Sequence, residues 1–178
     1  MKALVLTDRG DTEYVELPTS DPEQALREVV GGPLNPLPLT HLADHLDLWT
    51  LFEPLSTVTV GGIGYNDVAT QIATAGVGKP RAVIGTAVLT AHTDSGILAA
   101  LSPHDCAALD RIIAEIYAQA LEANGFDISR QYGIGSRETY IPALQDGSIN
   151  LIPEYTGVLA QYFDHSMTAT ASDEVYAA

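Results

Sequence analysis

The sequence predicts an α+β domain over residues 1–101, joined through a long helix to a shorter α/β segment over residues 102–178. Three observations predict it. Residues 2–17 alternate apolar and polar around a charged turn, the signature of a hairpin. Residues 102–125 carry a helix start signal, an apolar stripe and a stop signal. Residues 133–162 pass through a glycine turn, a capped helical run, a short apolar run and a second helical start. With 178 residues and 46% hydrophobic content, the chain has apolar material for one domain or two small ones.

In order, residues 2–7 and 12–17 form the arms of the hairpin, turned by Asp8-Arg9-Gly10-Asp11. Asp21 reads as an N-cap, Pro22 suits the first helical position and Gln24 completes a capping box. Ala25, Leu26, Val29 and Val30 give that helix its apolar face, and Gly31-Gly32 ends it. The run GPLNPLPLT (32–40) holds too much proline for a helix or a central strand and is expected to be an extended connection. Residues 46–52 and 57–60 read as strands, and Asn66-Asp67 caps a short helix through Ala75. RAVIGTAVLTA (81–91) is the strongest strand of this half, with Gly85 marking a bulge.

Ser102-Pro103-His104-Asp105 is a second capping box, opening a helix with Leu109, Ile112, Ile113, Ile116 and Ala120 on one face and a stop at Asn124-Gly125. No Gly/Ser/Pro-rich linker separates the two halves. Further on, Gly133 and Gly135 suit a tight turn, Ser136 caps a helix, Asp146-Gly147 breaks it, residues 149–152 form a short strand and residues 158–163 begin another helix. Pro142 limits the first of these helices to a short one, or one that begins near the proline. Ser172-Asp173-Glu174 reads as the capped start of one more.

Charge narrows the function classes. Twenty-three acidic residues against 8 basic ones give a net charge of −15; through Asp105 the count is 13 against 5, and beyond it 10 against 3. Both halves share the excess. Such a field repels nucleic acid and anionic membranes, so no direct nucleic-acid contact is expected, and it favours solubility or a basic protein partner. No apolar run approaches membrane-spanning length, and the opening residues read as a strand and not a leader peptide, so the expected location is cytoplasmic. Cys106 is the single cysteine, which rules out an intrachain disulfide and a thiolate metal cluster.

Three constellations invite chemistry and each has a plainer reading. His41 and His45 stand i, i+4 in HLADH, on one helix face with Asp44 and Asp47 nearby, but Leu42 occupies the place where a zinc protease carries glutamate. A solvated polar face is preferred, and no metal is assigned. GVGKP (76–80) lacks the outer glycine and the hydroxyl residue of a phosphate loop, with Ala73 and Pro80 at those places, and reads as a turn. His104, Asp105 and Cys106 are adjacent at a helix start, where neighbouring side chains fan about 100° apart and form no in-line triad. Capping accounts for Asp105 and a small buried thiol for Cys106. Neither an enzymatic activity nor a cofactor is expected.

Two resemblances add to these readings. The segments IIAEIYAQALEANGF (112–126), GSRETYIPALQDGSINLIPEYTG (135–157) and SDEVYAA (172–178) resemble the opening part of the osmoprotectant-binding proteins of ABC transporters, which capture glycine betaine, choline or carnitine. The resemblance covers roughly the last 70 residues and about the first quarter of such a protein, whose two lobes close on ligand. It implies a truncated, periplasmic-binding-protein-like α/β fragment, without the strand that the family places just ahead of residue 112. The tyrosine of the family's PEYTG motif carries over to Tyr155, where it forms part of an aromatic cage. A trimethylammonium group donates no hydrogen bonds, so ring faces hold it by cation–π attraction. A family threonine three residues further on is Val158 here, which removes a hydroxyl for the ligand's carboxylate. Proteins of that family work outside the membrane, against the cytoplasmic expectation. Residues 1–100 resemble a small uncharacterised domain family of bacterial phages and plasmids, through the Met1 to Leu6 start, Gly31-Gly32, Asn66-x-x-Ala69-Thr70 and Ile84-Gly85-Thr86-Ala87-Val88. That resemblance implies no known chemistry.

The expected ligand-binding residues are Tyr155, Thr156, Tyr140 and Tyr132, with Tyr117 and Tyr162 assigned to helix-face core. For Tyr155 a cage wall and a structural ring are both open readings. The first functional expectation is a quaternary-ammonium ligand, bound weakly or with binding lost, on a fragment fused to a phage-type domain. The alternative is an acidic accessory protein that inhibits a basic nucleic-acid-binding host or defence protein by charge mimicry. A third reading takes the chain as a recombination product with no selected activity.

Overall fold

The computed structural model describes residues 1–55, 64–154 and 156–167, with the side chains of 156–158 outside that description. The chain divides into two compact units, Met1–Ile112 and Ile113–Ala178. The expected strand at 57–60, most of the Gly61 to Gly64 run, Tyr155 and the helix start at 172–174 lie outside the described residues.

The first unit is built on an antiparallel sheet. Strands β1 (Lys2–Leu6) and β2 (Thr12–Glu16) form the hairpin that alternation predicts, with Leu4 opposite Tyr14. β3 (Asn35–Pro38), β4 (Leu46–Thr50) and β5 (Ala87–His92) complete the order β2-β1-β5-β4-β3, and the short β6 (Leu98–Ala99) pairs with β5. Because side chains alternate across a strand, the register sorts the core into two faces. Ala3 and Val88 stand on one face and pack with Ala25, Leu26 and Val30 of helix α1 (Pro22–Val30). Leu4, Leu6, Leu48 and Leu89 point to the other and are fully buried. Each such leucine contributes about 1.5–3 kcal/mol by leaving water.

Local signals fix the helices. The Asp21 side chain accepts from the Gln24 N–H and Gly31 closes α1 in the left-handed region. The Gln24 side chain turns to Glu28 instead of completing the box. Helix α2 (Asp67–Val77) starts at Asn66, which is fully buried. Its Oδ1 accepts from Ala69 N, and its amide donates to the Leu6 and Gly85 carbonyls at 2.9 and 3.0 Å, so one side chain caps a helix and ties two further segments to it. Helix α3 (Pro103–Ala123) opens with the predicted capping box: Ser102 N donates to Asp105 Oδ2 at 2.8 Å and Asp105 N to Ser102 Oγ at 3.2 Å.

Several expectations are corrected. The proline-rich run is strand β3, not a loose connection. Leu39 N donates to Leu46 O, so positions 35, 37 and 39 face β4 while Pro36 and Pro38, which lack an N–H, face outward from the sheet edge. The strand expected over 81–91 begins only at Ala87. Ahead of it Gly85 turns at φ +80°, and Ala82 and Ile84 make isolated bridges to Leu55 and Tyr65. HLADH forms turns ahead of β4, not a helix face.

In the second unit, helix α4 (Arg137–Asp146) runs through Pro142, so the proline neither shortens the helix nor marks its start. The bond forfeited is the one to the Glu138 carbonyl, in the first turn. Residues 149–152 are not a strand. A ladder needs a partner, and this unit has no strand among the described residues. Ile149 instead donates its N–H to Ala143 O and buries its side chain against α4. Helix α5 (Thr156–Phe163) follows, where a helical start is expected. Tyr117, expected in the core, is 38% exposed, whereas Tyr162 packs against the cluster of Tyr140, Ile141 and Ile149. Among the described residues, no helix is long and apolar enough to cross a membrane.

Candidate ligand-binding site

Residues 133–163 set the candidate site on two helices and the bend between them. Gly133 and Gly135 adopt φ +66° and +106°, a backbone region that L side chains avoid, and deliver the chain to Ser136 at the head of α4. Ser136 makes no side-chain cap. Its hydroxyl engages Glu138, holding that carboxyl below its ordinary range.

Arg137 opens α4, where the helix dipole disfavours a cation. Glu154 accounts for its presence. Arg137 Nε donates to Glu154 Oε1 at 3.1 Å, Nη2 closes on the same oxygen, and the Tyr140 hydroxyl donates to Oε2. Arg137 and Tyr140 are i, i+3 on α4 and so share a face. The Glu154 side chain is only 11% exposed, and both of its oxygens accept. Burial, reinforced by the bond to Glu154, pushes the Tyr140 hydroxyl well above its usual range, so it stays a neutral donor. Behind this group lie buried Tyr140, Ile141 and Ile149, with Ile134, Ile152 and Leu159 packed on them.

Tyr132 belongs to a second network. Its hydroxyl donates to Glu115 Oε2, while Arg130 bridges Glu115 through Nε and Nη2 at 2.9 and 3.0 Å and Glu122 through Nη1 and Nη2 at 2.6 and 2.8 Å. Glu115 and Glu122 stand two turns apart on α3 and share a face. Arg130, then Tyr132, holds the Glu115 carboxyl down at about 2.

Of the four expected ligand residues, Tyr140 is buried on Glu154 and Tyr132 is 42% exposed on Glu115, so these two serve different carboxylates. Tyr155 lies outside the described residues; Thr156 is the first residue of α5, with its side chain likewise outside. Arg137 and Glu154 are not among the ligand residues expected from the sequence. Two signals pointed to them: a cation in the first turn of a helix, and a lone acid in the otherwise uncharged run 147–163.

Among the described residues, the first unit holds two Asp–His pairs. His45 Nε2 meets Asp105 Oδ1 at 2.9 Å, and His92 Nδ1 meets Asp47 Oδ2 at 2.7 Å. His41 uses its backbone N–H on Gly76 O, and its ring lies against Gly78. Ser102 Oγ donates to Asp105, not to an imidazole, so Ser102, Asp105 and His45 do not stand in nucleophile–base–acid order. Burial pushes the Cys106 thiol up, away from a reactive thiolate.

Residues 109–178 match the family described as the substrate-binding domain of the ABC-type glycine betaine transport system. That match spans 70 of 178 residues, less than half of the chain. Members of that family bind substrate and are not enzymes. No curated protein and no solved structure matches the chain.

Proposed function

We propose that residues 109–178 belong to a betaine-type binding lobe whose ligand is a quaternary ammonium compound, and that this segment follows an α+β domain of phage or plasmid type. The family match over 109–178 carries the reading. Tyr155 is the cage wall in this proposal, presenting a ring face to a cation that cannot donate hydrogen bonds. The proposed binding is weak, in the millimolar range, a binding free energy of about 4 kcal/mol.

A thermal melt of the full chain in excess glycine betaine or choline tests the proposal. Ligand at about ten times its Kd stabilises by about 1.4 kcal/mol, a shift of several degrees that Tyr155→Ala abolishes. A cooperative melt indifferent to both ligands overturns it.

A further inference from the structure

We propose that the outer edge of β2 is a docking surface for an extended, lysine- or arginine-rich peptide segment, which joins the sheet there as a further strand. The surface belongs to the first unit and is independent of the ligand reading above, so either can fail alone.

The sheet order ends in β2 on one side and in β3 on the other, and the direction of the backbone groups separates the two edges. On β3 the outward positions are Pro36 and Pro38, which have no N–H to offer, so that edge is closed to a further strand. On β2, Thr7 N donates to Asp11 O and Leu17 N to Met1 O, each at 2.9 Å. Bonded and unbonded pairs alternate along an antiparallel ladder, so Glu13 and Val15 turn their backbone groups to β1 while Thr12, Tyr14 and Glu16 turn theirs away from it. At Thr12 and Glu16 the outward N–H and C=O groups meet no partner among the described residues. No proline interrupts β2, and Thr12, Tyr14 and Val15 favour extended backbone. The Tyr14 hydroxyl donates to Cys106 O and Asp110 Oδ1 at 2.9 and 3.0 Å, which holds the strand to the first turns of α3. Five residues give an edge of about 17 Å, already extended before a partner arrives.

Charge decides the occupant. Glu13 and Glu16 project from β2, and the turn that feeds it carries Asp8 and Asp11 against Arg9. The Glu16 side chain meets the Met1 ammonium at 3.3 Å and is still 73% exposed. The Glu13 carboxyl stands above its ordinary range, through burial first and then the Asp11 charge, and no cation meets it among the described residues. A second copy is disfavoured, because it brings another charge of −15 and sets one acidic strand beside another. A basic strand gains the main-chain ladder and the carboxylates together.

Fluorescence anisotropy with a labelled peptide of alternating lysine and valine, titrated with the full chain, tests the proposal. Its control is the same peptide N-methylated at each internal residue, which keeps the charge and donates no main-chain hydrogen bond. The parent peptide binds saturably with a dissociation constant below about 1 mM, and the methylated one binds at least about tenfold more weakly. Thr12→Pro removes an outward N–H in the way that Pro36 and Pro38 do on β3, and weakens the parent about three- to tenfold. Glu13→Gln weakens it too and flattens its dependence on salt. Equal binding of the parent and methylated peptides overturns the proposal, because it marks attraction to net charge and not to an edge; this comparison uses the wild-type chain and decides the matter even where Thr12→Pro fails to fold. Unchanged affinity in a folded Thr12→Pro chain overturns it, as does a parent peptide that never saturates. Sedimentation that shows wild-type chains pairing with each other, and Thr12→Pro chains not, overturns it in favour of a second copy.

Discussion

Asp105→Ala removes a carboxylate that joins three groups in the first unit. Asp105 is 6% exposed; its Oδ2 accepts from Ser102 N at 2.8 Å and Ser102 Oγ at 2.7 Å, and its Oδ1 meets His45 Nε2 at 2.9 Å. Loss of the reciprocal cap costs about 1 kcal/mol, and hydrogen bonds to a charged group are worth about 1.5–3 kcal/mol each before water returns to the freed partners. His45 is half exposed and regains water, so the sum is about 2–4 kcal/mol. Urea unfolding with a slope of about 2 kcal/mol per molar turns this into a midpoint lowered by about 1–2 M at unchanged slope. The same series across pH checks the cause. Burial raises the Asp105 carboxyl, but bonds from Ser102 and His45 outweigh it and leave the group below its ordinary value. A folded pKa below the unfolded one gives stability that is complete above the unfolded value and lost as pH falls through the folded one. The gap between wild type and variant therefore narrows as pH falls below about 4. A midpoint unchanged within about 0.3 M, or a gap that narrows only as pH rises, refutes the reasoning.

Two further predictions follow from packing and charge. Gly76 of α2 has no room for a side chain, since an added Cβ would stand 2.6 Å from Leu39 Cδ2 and 2.8 Å from Leu39 Cβ, and Leu39 is fully buried; Gly76→Ala is expected to lose about 1–2 kcal/mol by overpacking despite the better helix propensity, read as a lowered melting temperature. In Arg130→Gln the Glu115 carboxyl rises from about 2 toward its ordinary range in an NMR titration, because its leading hydrogen-bond donor is gone; a titration that stays near 2 would assign the shift to another group.

Much of the local fold was legible because caps and turns act over a few residues. Asp21, Asn66 and Ser102 cap where their spacing indicates, and the hairpin at 2–16 follows its alternation. What failed depended on partners far along the chain. Pro36 and Pro38 are admissible in a strand only because β3 is the sheet edge, which the order of the other strands decides. Residues 149–152 have strand composition but no strand beside them among the described residues of their unit, and the helical spacing of His41 and His45 yields to the turns that lead into β4. At the candidate site the aromatic positions were visible, whereas the Arg137–Glu154 pair, 17 residues apart, needed the fold to bring it together.

The central claim is tested most directly by an NMR shift titration of the full chain with glycine betaine and choline, run beside Tyr155→Ala. Saturable shifts with a dissociation constant of about 1 mM, lost in the variant, are the predicted result. Shifts that fail to saturate with ligand at about ten times that concentration, or equal binding by Tyr155→Ala, would contradict it.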